Sequence, residues 1–164
     1  MSSREEKNNM RRKVKNRNLV ESDKKYDSKE VSKFINYVMW DGKKSTSEAI
    51  VYGALEGAAV KVGVPALDLF NKVLENVSPV MEIRARRIGG ANYQVPREVR
   101  PERRVQLALR WIIEASRAKK GKPMNEKLEE ELVLAYKGEG SAVKKKEETH
   151  RMADANKAFA HFAW

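Results

Sequence analysis

The chain has 164 residues, of which 34 are lysine or arginine and 23 are aspartate or glutamate, giving a formal net charge of +11. The absence of cysteine excludes disulfides and thiolate metal sites, and the lack of a long apolar run or of a hydrophobic N-terminal core predicts an intracellular protein without a membrane partner. The length supports one domain with its own core, and the positive charge favours acidic polymers as partners, nucleic acid first among them.

The first 18 residues are predicted to form a flexible basic arm within an N-terminal extension of residues 1–23. They contain seven basic and two acidic residues, and only three of them are apolar. Such a segment cannot bury enough surface to order itself, so we expect it to be disordered until it meets a partner. Four of its basic residues are candidate contacts with that partner: Arg11, Arg12, Lys13 and Lys15.

Three helices are predicted before Pro79. The first is expected to begin with a capping box of Asp27 and Glu30 and to end at Gly42. Its apolar residues recur at helical spacing: Val31, Phe34, Ile35, Val38 and Met39. The second is expected to open on a capping box of Ser45 and Glu48, to run to about Val62 and to pack closely through small residues: Ala49, Gly53, Ala54, Gly57 and Ala58. The third carries an apolar stripe: Leu67, Phe70, Val73, Leu74 and Val77.

The apolar pattern then changes from a helical period to a period of two, beginning at Met81 and resuming after a Gly89-Gly90 turn signal. This alternation predicts a protruding β-hairpin arm at about residues 80–97, with Pro96 ending the pairing. Alternation places two arginines on one face and three apolar residues on the other, and the apolar face is expected to seat the arm on the helices. The two sets are Arg84 with Arg86, and Met81 with Ile83 and Ala85.

Arginine dominates this hairpin and the residues that follow it. The stretch RARRIGGANYQVPREVRPERR, residues 84–104, carries seven arginines and no lysine. A guanidinium binds phosphate through a planar fork and stacks on bases, and Asn92 and Gln94 can reach base edges. The Tyr93 ring either stacks on a base or packs at the base of the hairpin. The stretch is therefore a candidate nucleic-acid interface.

Three more helices are predicted after the hairpin. Pro101 and Glu102 mark the start of the first of them, and KKGKP ends it. Its apolar stripe is Val105, Ala108, Leu109, Ile112 and Ala115. The next helix has an apolar stripe of Met124, Leu128, Leu132 and Ala135, is closed by Gly138, and is expected to carry a solvated acidic face of Glu126, Glu129, Glu130 and Glu131. The last is predicted to run from Ser141 to about Phe159.

Further basic residues extend the candidate interface beyond the hairpin. Lys43 and Lys44 precede a helix N-terminus, where backbone amides favour anions. The run Lys144 to Lys146 either contacts nucleic acid or forms a solvated face, because Glu147 and Glu148 partly cancel its charge.

No catalytic constellation is found in the sequence. The two histidines, His150 and His161, have no carboxylate nearby at metal-ligand spacing, and GGANYQ lacks the strand–glycine–helix context of a dinucleotide fingerprint. We therefore expect no enzymatic activity, no cofactor and no metal. Two alternatives remain, an RNA-modifying enzyme and a helix-turn-helix-like DNA-binding regulator. The hairpin between helices and the absence of one clear recognition helix count against the regulator.

Four stretches, taken in order and spacing, resemble the bacterial-type ribosomal protein seven of the small subunit. They are KFINYVMWDGKKS, ENVSPVMEIRARRIGGANYQVPREVRPERR, ALRWIIEASR and AVKKKEETHRMADANKAFAHF. The resemblance covers about residues 24–164. It departs at the end of the chain, where Ala163 stands in place of the arginine that family members often carry.

The resemblance implies a mainly α fold, a bundle of about six helices with one protruding β-hairpin arm, in a single domain over residues 24–164. It implies a protein that binds the 3′ major domain of small-subunit rRNA, nucleates assembly of the subunit head, and lies at the subunit interface near the tRNA exit site. The implied partners are that rRNA, exit-site tRNA, mRNA and small-subunit proteins nine and eleven, without homo-oligomers. The implied location is the cytoplasmic small subunit, with an organellar ribosome as the alternative.

The resemblance also assigns roles to individual basic residues. Those expected to contact rRNA are Arg11, Arg12, Lys13, Lys15, Lys33, Lys43, Lys44, Arg84, Arg86, Arg97, Arg100, Arg103, Arg104 and Arg110. Those expected on the tRNA and mRNA side are Arg87, Gly89, Gly90, Asn92, Tyr93, Lys144, Lys145, Lys146 and Arg151.

Overall fold

The computed structural model describes residues 20–162, which fold into six α-helices, one 3₁₀ helix and one antiparallel β-hairpin. The predicted mainly α architecture with a single hairpin is therefore confirmed, while the predicted flexible arm lies outside the described residues. In chain order the elements are α1 (Lys29–Val38), α2 (Lys44–Val62), α3 (Ala66–Val77), β1 (Met81–Ile88), β2 (Ala91–Glu98), α4 (Pro101–Ala118), α5 (Met124–Tyr136), α6 (Ser141–Ala155) and the 3₁₀ helix (Lys157–Phe162).

The start of α1 differs from the predicted capping box. Ser28 is the N-cap residue, and its side chain accepts a hydrogen bond from the Val31 N–H at 3.5 Å. Asp27 instead adopts a left-handed backbone with φ of 47° and donates its N–H to the Asp23 carbonyl at 2.9 Å. The prediction that Asp27 caps this helix was wrong, because the chain turns at Asp27 before the helix begins.

The connection between α1 and α2 is longer than predicted. The helix ends at Val38 rather than Gly42, because Met39 is already extended with ψ of 137°. Asp41 and Gly42 then take positive φ values of 50° and 71° in a tight turn. The next helix begins at Lys44 without a side-chain cap, so the predicted capping box of Ser45 with Glu48 was also wrong.

The predicted apolar stripes meet in one core. The ring centroids of Phe34 in α1 and Phe70 in α3 lie 5.4 Å apart, and Leu109 of α4 and Leu128 of α5 are completely buried.

Within residues 20–162 no single helix is long and apolar enough to cross a membrane, and the apolar stretch shared by α2 and α3 is bent by 92° between them.

Small residues of α2 pack closely against another helix, as predicted, and the structure identifies that helix as α5. Ala54 and Ala58 are completely buried, and a Cβ atom added to Gly57 would overlap the Glu129 carboxylate. Gly53 and Ala49 were expected to share this packing but are exposed. The close approach therefore depends on one face of α2 only.

The predicted solvated acidic face of α5 is wrong for three of its four glutamates. Glu126 is exposed, but Glu129 pairs with Lys61 of α2 at 2.8 Å, and Glu130 pairs with Lys122. The fourth, Glu131, is completely buried. Internal ion pairs therefore neutralise most of this helix's negative charge.

The buried Glu131 carboxylate joins three helices. Its Oε1 accepts a hydrogen bond from the Ala142 N–H at 3.0 Å, in the first turn of α6. Its Oε2 lies 3.0 Å from the Lys119 Nζ, just beyond the end of α4. Because the N-terminus of a helix carries partial positive charge, the carboxylate stabilises the start of α6 as well as pairing with the lysine.

Candidate nucleic-acid interface

The hairpin is regular along its whole length. Its strands pair from Met81 opposite Glu98 to the turn, where Gly89 and Gly90 have φ values of 57° and 91°. Two positive φ values are what a two-residue type I′ turn requires. The pairing passes Pro96, so its predicted end there was wrong. Counted from the turn, Pro96 falls at a position that donates no inter-strand hydrogen bond, where a missing N–H is tolerated.

The face of the hairpin that carries arginine also contains packing residues. The register sets Arg84 opposite Val95 and Arg86 opposite Tyr93, so these four side chains share one face. Val95 is buried, whereas Ala85 on the other face is exposed. At the base of the other face, Met81 and Ile83 are half-buried and Pro96, opposite Ile83, is buried, in line with the expectation that the apolar set seats the base of the arm, whereas Ala85 does not contribute. On the arginine face, the packing residues Val95 and Tyr93 lie directly opposite the two arginines.

Tyr93 belongs to an aromatic cluster in the outer half of the hairpin. Its ring centroid lies 5.3 Å from that of Phe159 and 5.7 Å from that of Phe162, both in the 3₁₀ helix. The structure therefore shows the Tyr93 ring packing within the protein, but in the outer half of the hairpin and not at its base, where packing was considered. The C-terminal segment thereby supports the hairpin two residue pairs away from its turn.

Two hydrogen bonds close the base of the hairpin. The Val99 N–H donates to the Val80 carbonyl at 2.9 Å, and the Val80 N–H donates to Nε2 of His150 on α6 at 3.0 Å. Burial lowers the pKa of His150, and the charge of Lys146 acts in the same direction while Asp154 opposes it. The neutral ring, which can accept this hydrogen bond, is therefore the favoured form.

This geometry predicts that acid weakens the fold at the base of the hairpin. Below about pH 6.5, the ordinary histidine pKa, the unfolded chain binds a proton before the folded chain does. The contribution of His150 to stability is thus present above that pH and lost as the pH falls through the lowered folded pKa. The thermal midpoint should fall more between about pH 7.5 and pH 5 than it does for His150→Gln, which accepts the same bond but does not titrate.

Equal pH dependence in the two proteins would contradict this role for the ring. The exposed His161 is present in both and cancels from the comparison.

Most of the predicted cations lie at the surface. The exposed ones are Lys43, Lys44, Arg84, Arg87, Arg100, Arg110, Lys144, Lys145 and Arg151, and the half-buried ones are Lys33, Arg86, Arg97, Arg103, Arg104 and Lys146. The predicted contacts Arg11, Arg12, Lys13 and Lys15 lie outside the described residues. Gly89, Gly90 and Asn92 are exposed at or beside the turn.

Two arginines at the start of α4 hold the hairpin to the helix. Arg103 lies 3.3 Å from Oε2 of Glu82 on β1 and donates to Gln106 at 2.9 Å. Arg104 donates through Nε to the Val99 carbonyl at 3.1 Å. Glu82 also pairs with Arg84 at 3.0 Å. These contacts give both α4 residues a structural role that the run of arginines did not reveal.

The lysine run of α6 divides into three different environments. Lys144 and Lys145 are both exposed, and the Lys145 Nζ also lies 3.7 Å from the Glu148 carboxylate in a surface ion pair. Lys146 donates its Nζ to the Asn76 carbonyl at 2.8 Å, at the end of α3. A cation at a helix C-terminus is favourably placed, so Lys146 stabilises the fold.

Packing of α1 against α4 brings further predicted contacts together. Lys33 lines a groove with Glu102 and Gln106 of α4, and the Arg110 guanidinium lies 5.7 Å from the centroid of the Tyr37 ring.

Within residues 20–162 no three His, Cys, Asp or Glu side chains are grouped so that they could hold a metal ion.

Helical periodicity missed one exposed aromatic residue. Trp40 follows α1, and 67% of it is exposed beside Arg117. Its signal in the sequence was an aromatic residue just outside the apolar stripe and directly before the Asp41-Gly42 turn.

The sequence matches known ribosomal proteins over most of its length. The family profile described as ribosomal protein S7p/S5e matches residues 9–157, including part of the predicted N-terminal extension. The small ribosomal subunit protein uS7 of Thermotoga neapolitana is 54% identical over 155 residues, which cover 94% of this chain and 100% of that protein. The protein of the same name from Thermosipho melanesiensis is 56% identical with the same coverage. That from Psychromonas ingrahamii is 56% identical over 154 residues, or 94% and 99% of the two chains.

Proposed function

Because the chain belongs to the ribosomal protein S7p/S5e family and is a structural constituent of the small ribosomal subunit, we propose that it binds the 3′ major domain of the small-subunit rRNA directly and nucleates assembly of the subunit head. The family is generally structural rather than enzymatic. Small-subunit proteins nine and eleven are the protein neighbours that this role implies.

This proposal rests on the difference between charged side chains that form ion pairs within the fold and exposed arginines that have no carboxylate partner in the described part of the chain. Glutamates of α5 and Glu82 of β1 pair with nearby cations. Arg87, Arg100 and Arg110 are exposed, and within residues 20–162 no carboxylate pairs with them. Phosphate groups are suitable ligands for such guanidinium groups, since each accepts two parallel hydrogen bonds. A folded RNA offers phosphates at fixed spacing, which a rigid surface can match.

We divide the basic surface into two parts. The start of α4, the lower hairpin and the α1–α2 connection contact rRNA, together with the basic residues outside the described part of the chain. The hairpin tip with Arg87, Gly89, Gly90 and Asn92 faces exit-site tRNA and mRNA at the subunit interface, with exposed Lys144 and Arg151 as further candidates. Because the Tyr93 ring and Lys146 are engaged within the fold, their contribution to this side is positional.

Binding of the purified protein to a 3′ major domain transcript, measured against salt and against duplex DNA of equal length, tests the rRNA assignment. We expect tighter binding to the transcript. The double variant Arg100→Ala, Arg110→Ala should reduce the slope of log affinity against log salt by about 1.4–1.8, because each phosphate contact contributes about 0.7–0.9. Lys72→Ala, an exposed lysine of α3 outside the proposed interface, is the control. Equal affinity for the DNA would favour the DNA-binding regulator instead.

Shortening the hairpin tests the separate role of its tip. Replacing residues 87–92 with Asn-Gly keeps Arg86 opposite Tyr93 and retains a type I′ turn. The variant should fold and bind the transcript within about threefold of the parent, a change of less than about 1 kcal/mol. Ribosomes built with it should retain exit-site tRNA less well. The control replaces Gly89-Gly90 alone with Asn-Gly, which preserves the length. Collapse of rRNA affinity with normal tRNA retention would make the tip an rRNA anchor.

A further inference from the structure

An exposed indole stands beside two cations on the connection between α1 and α2. Trp40 is 67% exposed, and the Arg117 guanidinium of α4 lies 5.3 Å from its ring centroid. A groove next to the ring is lined by Met39, Ile50 and Lys43 among others. Of the described residues that line this groove, two are cationic and none is acidic. An aromatic surface flanked by positive charge is what single-stranded nucleic acid requires for stacking.

The fold orders the backbone at Trp40 and anchors the Arg117 guanidinium. The Met39 N–H donates to the Ile35 carbonyl at 3.0 Å, and the Lys43 N–H donates to the Trp40 carbonyl at 2.9 Å, so backbone hydrogen bonds lie on both sides of the Trp40 Cα atom. Arg117 donates to the Val38 carbonyl at 3.4 Å, at the end of α1. These bonds order the backbone that carries the indole and anchor the guanidinium beside it before any ligand arrives, which reduces the conformational freedom lost on binding.

We propose that Trp40 stacks on an unpaired base of RNA while Arg117 and Lys43 contact the phosphates on either side of it. This inference rests on the proposed function, because it takes RNA as the ligand, and it adds a base-stacking site that basic residues alone do not provide. The choice of RNA follows from the cations beside the groove, since an apolar side chain of a neighbouring protein would leave both of them without a charged partner. Asp41, the next residue after Trp40, is exposed but does not line the groove, so the charged side chains of the lining are positive.

Stacking and phosphate contact differ in their dependence on salt, which separates them experimentally. Removing a stacked base contact weakens binding by about fivefold to a hundredfold without changing the number of phosphates neutralised. Trp40→Ala should therefore weaken binding to the 3′ major domain transcript to this extent while leaving the salt slope and the thermal midpoint unchanged. Trp40→Phe should restore most of the affinity. Binding to heparin, a polyanion without bases, should be equal in all three proteins.

Val60→Ala is the matched control, because Val60 is 84% exposed on α2 and is apolar like the indole. If the parent protein fails to bind the transcript in preference to duplex DNA, the proposed function fails and not this site alone. If the parent binds and Trp40→Ala binds equally well, the stacking site is overturned. Unchanged transcript affinity with reduced incorporation into small subunits would show a protein in the groove. An equal loss of heparin binding would show that the indole only positions its cationic neighbours, and either result contradicts the proposal.

Discussion

Replacing Glu131 with alanine should lower the free energy of unfolding by about 3–5 kcal/mol, the usual effect of removing one partner of a buried ion pair. The substitution leaves the Ala142 N–H without its acceptor and Lys119 without its counter-ion. It also empties the space of a side chain that is completely buried. Denaturant unfolding of the purified protein measures the loss, and the junction of α4, α5 and α6 is where protection from hydrogen exchange should fall first.

Two variants on the same helix make this experiment specific. Glu131→Gln retains an oxygen that can accept from the Ala142 N–H and keeps the volume, so it should be less destabilising than alanine. Glu126→Ala, at an exposed position, should change stability by no more than about 0.5 kcal/mol. If the alanine variants at the two positions proved equally stable, the buried carboxylate would have no special structural role.

Leu109→Ala should cost about 2–5 kcal/mol, the range for removing a buried leucine side chain. Leu109 is completely buried in the core that α4 shares with its neighbours, whereas the adjacent Arg110 is exposed. The leucine variant should weaken rRNA binding only through its larger unfolded fraction, so that its affinity recovers at low temperature. Arg110→Ala should weaken binding directly and leave the unfolding transition nearly unchanged.

The pair is informative because the two residues are neighbours in sequence and differ in the face of α4 that they occupy. Denaturant titration and transcript binding are measured on both variants. The leucine variant should be the less stable of the two, and, at a temperature where both are folded, the arginine variant should bind the transcript more weakly. An arginine variant less stable than the leucine variant would reverse the assignment of the two faces. Arg103 is unsuitable for this test, because its contact with Glu82 holds the hairpin and would confuse binding with folding.

The elements that could be predicted from the sequence are those specified by local periodicity. Apolar residues at helical spacing located four of the six α-helices, those now labelled α1, α3, α4 and α5, and the change to alternation followed by Gly89-Gly90 located the hairpin and its turn. These patterns are legible because burial depends on which face a residue occupies, and that face is fixed by the period of the element. Helix ends were less predictable, since Asp27 and Ser28 are equally good capping residues and only the turn at Asp27 selects between them.

The features that could not be predicted depend on contacts between distant parts of the chain. Glu131 resembles its neighbours Glu129 and Glu130 in sequence, and only the placement of α6 over α5 buries it. Four arginines around the start of α4 look alike, yet Arg103 and Arg104 face the hairpin while Arg100 is exposed. Residue type therefore predicted the chemistry of the candidate interface, and tertiary packing decided which of its cations are available to a ligand.

The packing of Tyr93 against Phe159 and Phe162 affects the direction in which the hairpin arm points. Each strand of eight residues is about 27 Å long at about 3.4 Å per residue. A tilt of about 5° at the base would displace the tip by about 2 Å over that length, more than the roughly 0.5 Å range of hydrogen-bond distances. The rings of Phe159 and Phe162 contact the hairpin at Tyr93, far from its base. A contact at this distance from the base opposes tilting more effectively than an equal contact near the base. The 3₁₀ helix of Lys157–Phe162 thus helps to determine where the arm points, and loss of its two phenylalanine rings would appear as a misdirected tip in a protein that is still folded.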